Sequence, residues 1–216
     1  MAVDCLAMSE SSSETRWMRV LGVDPAATGP TGYGIVESDG RVNRVVHYGA
    51  LRITAKRQKE SAGAALQDVH EMLCKLIEEF APDAMAVENI FSALNVRTAL
   101  RLAEVRGVVL LAASQHRIAV HSYSPREVKA SVAGYGQADK RQIQIMVRAL
   151  LCMTETPEPA DAADALAVAL CHLQAEQFKT RFVIPGDAVT MGVTKSLTAP
   201  SAGATSIASP RIVVNR

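Results

Sequence analysis

The sequence predicts an α/β fold built on a mixed five-stranded sheet flanked by helices. Three observations carry this. Three strand-like segments open the chain between residues 19 and 53, joined by Gly- and Pro-rich turns. From there to about residue 174, helix-like and strand-like segments alternate. The long segments carry apolar residues at helical spacing, whereas the short ones are near-continuous apolar runs.

Arg19–Asp24 reads as a short buried strand, followed by the loop Asp24-Pro-Ala-Ala-Thr-Gly-Pro-Thr-Gly and a returning strand over Tyr33–Ser38. Asp39-Gly40 is a hairpin turn signal, and Val42–Ile53 completes an antiparallel meander. Leu66, Val69, Met72, Leu73, Leu76, Ile77 and Phe80 then form a stripe with a 3.6-residue period, suited to lie against a sheet. Pro82 closes that helix. Ala84–Val87 is apolar throughout, which marks a central strand covered on both faces. A second long helix is expected over Asn95–Ser114, and a fifth strand over Ile118–Tyr123. Ser124-Pro-Arg-Glu127 combines a capping box with Pro at the first helical position. Gly134-Tyr-Gly136 breaks the chain before a helix over Ala138–Leu151. Thr154–Pro159 is a loop, and a last helix is expected over Ala160–Leu173. Three antiparallel strands followed by alternating helix and strand is the order of the ribonuclease H-like fold.

The ends differ from this core. Residues 1–17 are polar and Ser-rich, with neither the basic nor the apolar region of a signal peptide. Beyond residue 174 the periodicity fades into Thr, Ala, Ser and Gly. We therefore expect a disordered N-terminal extension over 1–17, one domain over 18–174, and a mostly disordered tail over 175–216. No apolar run approaches the roughly 18 residues of a membrane span. Cys5, Cys74, Cys152 and Cys171 are far apart without zinc spacing, as expected of reduced thiols in a cytoplasmic protein. Net charge is only +1, yet Arg126, Lys129, Lys140, Arg141 and Arg148 outnumber Glu127 and Asp139 between Ser124 and Arg148. That local excess is compatible with a nucleic-acid partner.

Four carboxylates carry the chemistry. Asp24 and Glu88 each end an apolar strand, in Val20-Leu-Gly-Val-Asp24 and Ala84-Met-Ala-Val-Glu88. If the first and fourth strands are parallel neighbours, both acids project from one sheet edge, where open α/β sheets bind ligands. Asp161 and Asp164, three residues apart in the first turn of the last helix, face one side of it. Singly, each has a duller explanation: a turn starter, a solvated strand end, an N-terminal helix charge. Together they form an all-oxygen site that selects Mg²⁺ or Mn²⁺ over zinc, and a pair of such ions supports phosphodiester hydrolysis.

Leu21-Gly-Val-Asp24-Pro, Thr31-Gly-Tyr-Gly34, Ala86-Val-Glu88-Asn-Ile-Phe91 and Ala160-Asp161-Ala-Ala-Asp164-Ala-Leu-Ala resemble the RuvC family of bacterial Holliday-junction resolvases, over about Met18–His172. The resemblance implies a homodimer that nicks two strands symmetrically across four-way junction DNA, alongside the RuvA–RuvB branch-migration complex. It implies two Mg²⁺ ions per site, with Mn²⁺ able to substitute, held by Asp24, Glu88, Asp161 and Asp164. Phe91 would stack on an unpaired base near the crossover. Lys129 and Lys140 would contact the scissile strand, and Lys140 would also assist the reaction; Arg97, Arg101 and Arg126 are further candidate phosphate contacts. One departure stands out: Ala26 follows Asp24-Pro25 where the family usually has Gly, so the loop is expected to take its own course.

Three rivals share some of these features. Another ribonuclease H-like nuclease, acting on RNA or RNA–DNA hybrids, would keep the acids without needing Phe91 or a dimer. An actin-like ATPase would use Gly29-Pro-Thr-Gly-Tyr-Gly to cradle phosphate, but needs two copies of the fold. A metal-free junction-binding scaffold would have no use for four acids.

Overall fold

The computed structural model describes residues 16–26, 29–52, 63–89 and 96–182. Its strands are β1 (Met18–Asp24), β2 (Thr31–Ser38), β3 (Asn43–Leu51), β4 (Ala84–Glu88) and β5 (Ala119–Tyr123). Its helices are α1 (Ala64–Phe80), α2 (Val96–Gln115), α3 (Pro125–Ala133), α4 (Lys140–Leu150) and α5 (Ala160–Phe182). The sheet order is β3-β2-β1-β4-β5. The first three strands pair antiparallel, and β1–β4 and β4–β5 pair parallel, as the element order predicts.

Alternation along the strands divides the core in two. Leu21, Val23, Ile35, Met85 and Val87 pack against α1 and α2, burying Val69, Leu73, Ile77, Val105 and Val109. Val20, Val36 and Ala86 face the other way, toward α3, α4 and α5. Helix α5 is the pivot of that second layer. Ala162, Ala163 and every residue from Ala165 to Leu173 are buried, so it is apolar all round, as a helix between sheet and helices must be.

Local signals act where the sequence places them. Asp39 Oδ1 accepts from the N–H groups of Arg41 and Val42 at 2.8 and 2.7 Å, closing the hairpin with Gly40 at φ +88°. Ser124 Oγ accepts from Glu127 N at 3.2 Å while the Glu127 carboxylate accepts from Ser124 N at 2.6 Å, starting α3.

Two expected boundaries move. Arg16 and Trp17 are tied to the domain: Arg16 pairs with Asp83 at 3.0 Å, and the Arg44 guanidinium lies 4.5 Å above the Trp17 ring. At the other end, α5 runs to Phe182 rather than Leu173. Polar contacts sustain its final turns, Lys179 with Glu176 at 2.6 Å and Gln177 with Ser38 at 3.2 Å. Hydrophobic periodicity carries no signal for such contacts. The rest of both predicted extensions, and Phe91, lie outside the described residues. Among the described residues no helix is long and apolar enough to cross a membrane.

Candidate active site

Parallel pairing sets the first half of the site. Val23 stands opposite Val87, so Asp24 and Glu88 leave β1 and β4 side by side, on the face covered by α5. The second half comes from α5, whose first turn carries Asp161 and whose next carries Asp164. Backbone contact brings this helix in. A Cβ on Gly22 would fall 2.1 Å from the carbonyl oxygen of Ala165, and one on Gly32 would fall 2.0 Å from that of Asp161. Any side chain at either position would push the acidic turn away from Asp24.

The result is a crowd of negative charge. Burial first, then the charge of Glu88 and a hydrogen bond to it, then Asp164 and Asp161, push Asp24 up to about 8. Glu88 is also raised, chiefly by burial, while its bond with Asp24 and the charges of Lys129 and Lys140 pull it back. The shared proton therefore belongs to Asp24. Lys140 Nζ donates to Asp164 Oδ2 at 2.7 Å, and that bond, ahead of the charges of Asp161 and Asp24, holds its ammonium above the usual lysine value.

Helix starts place the two lysines. The Ser124 box begins α3, which carries Lys129. A second box, Asp139 with Gln142, begins α4 and puts Lys140 at its first position. A cation there opposes the helix dipole, and Asp164 offsets this. Lys129, Lys140, Glu88 and Asp164 line one cleft of about 220 Å³, with Val128 and Ile143 as its apolar wall.

The donor set suits a hard cation: carboxylate oxygens converging from three elements, with more negative charge than Lys129 and Lys140 neutralise. Among the described residues, no three His, Cys, Asp or Glu side chains already close to metal-ligand spacing. The acids are engaged instead with a shared proton and with Lys140. A cation held by all four acids would take the place of the Asp24 proton and of the Lys140 ammonium at Asp164.

Other expected residues fall elsewhere. Arg126 is exposed on α3, its side chain lying over Gly136. Arg97 and Arg101 are exposed on the first turns of α2, whose buried residues belong to the opposite face of the sheet. Among the described residues nothing joins them to the carboxylates. Ala27 and Thr28, in the unusual loop after Asp24, lie outside the described residues, as does Phe91. Gly32 lies beneath the α5 backbone and Gly34 against Leu166, within β2, so these two glycines serve helix packing. That role was missed in the sequence, although alternate glycines inside a strand do signal close approach of another backbone. Also missed were the Asp139 box and the pair of half-buried Tyr123 and buried His172, whose hydroxyl and Nδ1 lie 2.7 Å apart.

Known proteins resemble this chain in sequence and in fold. The family described as "Crossover junction endodeoxyribonuclease RuvC" matches residues 20–172. A protein so named from Chloroflexus aggregans is 47% identical over 165 residues, 76% of this chain and 98% of that protein. One from Caldicellulosiruptor saccharolyticus is 43% identical over 157 residues, 72% of this chain and 92% of its own length. The structure of T. thermophilus RuvC in complex with a Holliday junction substrate superposes with a TM-score of 0.70 at 32% identity, covering 76% of this chain and 97% of that one. Sequence and fold thus converge, and the chain belongs to the RuvC family of crossover junction endodeoxyribonucleases.

Proposed function

We propose that this chain resolves four-way DNA junctions as a homodimer, each protomer hydrolysing one phosphodiester at the cluster of Asp24, Glu88, Asp161 and Asp164. The observation that carries this is the convergence of those acids from β1, β4 and α5 beside Lys129 and Lys140. When bound, a pair of divalent cations supplies charge stabilisation for the attacking and departing oxygens of an in-line displacement. Mg²⁺ is the expected ion, with Mn²⁺ able to replace it.

The chain's own residues do the rest. Asp24 and Glu88 present oxygens at the sheet edge, and Asp161 and Asp164 present theirs from the facing helix. Lys140, released from Asp164, is free to neutralise charge developing on the phosphate, and Lys129 holds the scissile strand in the same cleft. Phe91, three residues beyond Glu88, stacks on a base opened at the crossover. Arg126, and more distantly Arg97, bind flanking phosphates. Exposed Val96, Leu100, Leu110 and Leu111 on α2 offer an apolar surface to a second copy. The work belongs with RuvA–RuvB in the cytoplasm.

The test is cleavage of a synthetic four-way junction in Mg²⁺, with cuts mapped on all four strands and an RNA–DNA hybrid assayed beside it. Paired symmetric nicks in two strands of like polarity are expected, leaving ends that a ligase reseals. Preferential cutting of the hybrid would replace this reading with that of a general ribonuclease H-like nuclease.

A further inference from the structure

We infer that Tyr123 and His172 form a positioning pair that sets Glu88 against the acidic turn of α5, an inference that rests on the metal-site reading above. The two sides of the site reach α5 by different routes. On the β1–β2 side the approach is backbone to backbone, at Gly22 and Gly32. On the β4–β5 side the link is polar. Glu88 stands opposite Tyr123 in the parallel register, and the next N–H, of Asn89, donates to the Tyr123 carbonyl oxygen at 2.7 Å. The backbone that carries Glu88 is thus clamped to Tyr123. From there the hydroxyl reaches across to His172 Nδ1 at 2.7 Å. His172 lies eleven residues beyond Asp161 on one helix, about three turns, so the two share a stripe to within roughly 20°. A bond at His172 therefore fixes the rotation of the helix that aims Asp161 and Asp164.

A second observation separates this from ordinary core packing. His172 is fully buried, its ring 4.3 Å from that of His121, and its Nε2 has no partner among the described residues. An unpaired buried nitrogen costs free energy that an apolar side chain of similar size would not. A position needing only volume gains from leucine. The partner the imidazole does have is the residue that clamps Glu88.

The experiment uses the full chain with Mn²⁺ as the probe. Mn²⁺ affinity is measured by the loss of its free electron-spin-resonance signal, beside the Mg²⁺ dependence of junction cleavage and the Tm. Tyr123→Phe and His172→Leu should weaken Mn²⁺ binding about tenfold, the size usual when a group orienting a metal ligand is lost. Half-saturating Mg²⁺ should rise by a similar factor, with Tm close to that of the parent. His172→Asn, whose Oδ1 can accept from the tyrosine hydroxyl in place of Nδ1, should recover most of the affinity. A lowered Tm with unchanged Mn²⁺ affinity in Tyr123→Phe and His172→Leu would mean a purely structural pair and overturn the inference. Asp164→Asn is the reference: if it binds Mn²⁺ like the parent, the metal-site reading itself fails. If it loses Mn²⁺ while Tyr123→Phe does not, only the positioning inference fails.

Discussion

On one face of the sheet Leu21, Val23, Ile35 and Met85 meet Leu73, Ile77 and Val109, large side chains buried to completion or nearly so. On the other, β1 and β2 offer Gly22 and Gly32, and the helix answers with Ala165 and the Asp161 backbone. The first face maximises apolar area removed from water, at roughly 1.5–3 kcal/mol for each large side chain. At those two glycines the second gives up area for closeness and uses it to hold like charges together, which costs stability in the metal-free chain. Crowded charge is thus confined to one end of the second face, which elsewhere buries Val20, Val36, Leu166 and Leu170 in a core of its own. β1 serves both faces, with Leu21 and Val23 pointing one way and Gly22 and Asp24 the other.

The largest expected effects test that division directly. Asp164→Asn should lower junction cleavage roughly a thousandfold, ~4 kcal/mol of barrier, with junction binding intact and Tm unchanged or higher. Leu73→Ala should do the reverse: a loss of about 2–5 kcal/mol in stability, read by urea unfolding, with cleavage per folded molecule unchanged. If Leu73→Ala slowed cleavage as deeply as Asp164→Asn while still folded, the two faces would not be independent.

Gly22→Ala should damage both properties, because its methyl group would meet backbone rather than a flexible side chain. Overpacking of this kind costs about 1–3 kcal/mol. The displacement of α5 should cost about a hundredfold in rate, as ångström-scale misplacement of a catalytic group does. A Gly22→Ala protein that cleaves normally would show that the acidic turn tolerates a looser helix.

The same contrast explains what could be read from the sequence. Asp24 and Glu88 were legible because each ends an apolar run, and Asp161 and Asp164 because three residues on a helix fix a common side. The Ser124 box was legible because its partners are three residues apart. Contacts between distant segments were not. Nothing local in Lys140 announces its bond to Asp164, nor in Tyr123 its bond to His172, 49 positions away. Glycines 32 and 34 were visible as residues, but a bare backbone position does not name what will lie against it. The final turns of α5 escaped because charged and amide contacts, not an apolar stripe, sustain them.

The smallest and most diagnostic effects concern pH. In the metal-free chain Asp24 keeps its proton up to about pH 8, against 3.8 for an ordinary aspartate. The unfolded chain binds fewer protons across that interval, so stability falls as pH rises through it. His172, lowered to about 4 from 6.5 by burial first and by the neighbouring His121 second, behaves oppositely. Its contribution is complete above 6.5 and is lost as pH falls toward 4. Each slope is about 1.4 kcal/mol per pH unit, so the two cancel over the range they share and leave a plateau. Above the plateau the Asp24 limb removes about 2 kcal/mol by pH 8; Glu88, raised from 4.5, acts in the same falling sense as pH rises above that value. Urea unfolding at fixed ionic strength should show that shape. Asp24→Asn should unmask the histidine limb, with stability rising by about 3 kcal/mol across the plateau range and then staying level. Saturating Mg²⁺, which requires ionised carboxylates, should give the wild-type chain the same profile. A metal-free wild-type curve that rises to pH 6.5 and then stays level would mean that its neighbours do not hold Asp24 protonated, and the crowding on the catalytic face would carry no stability cost.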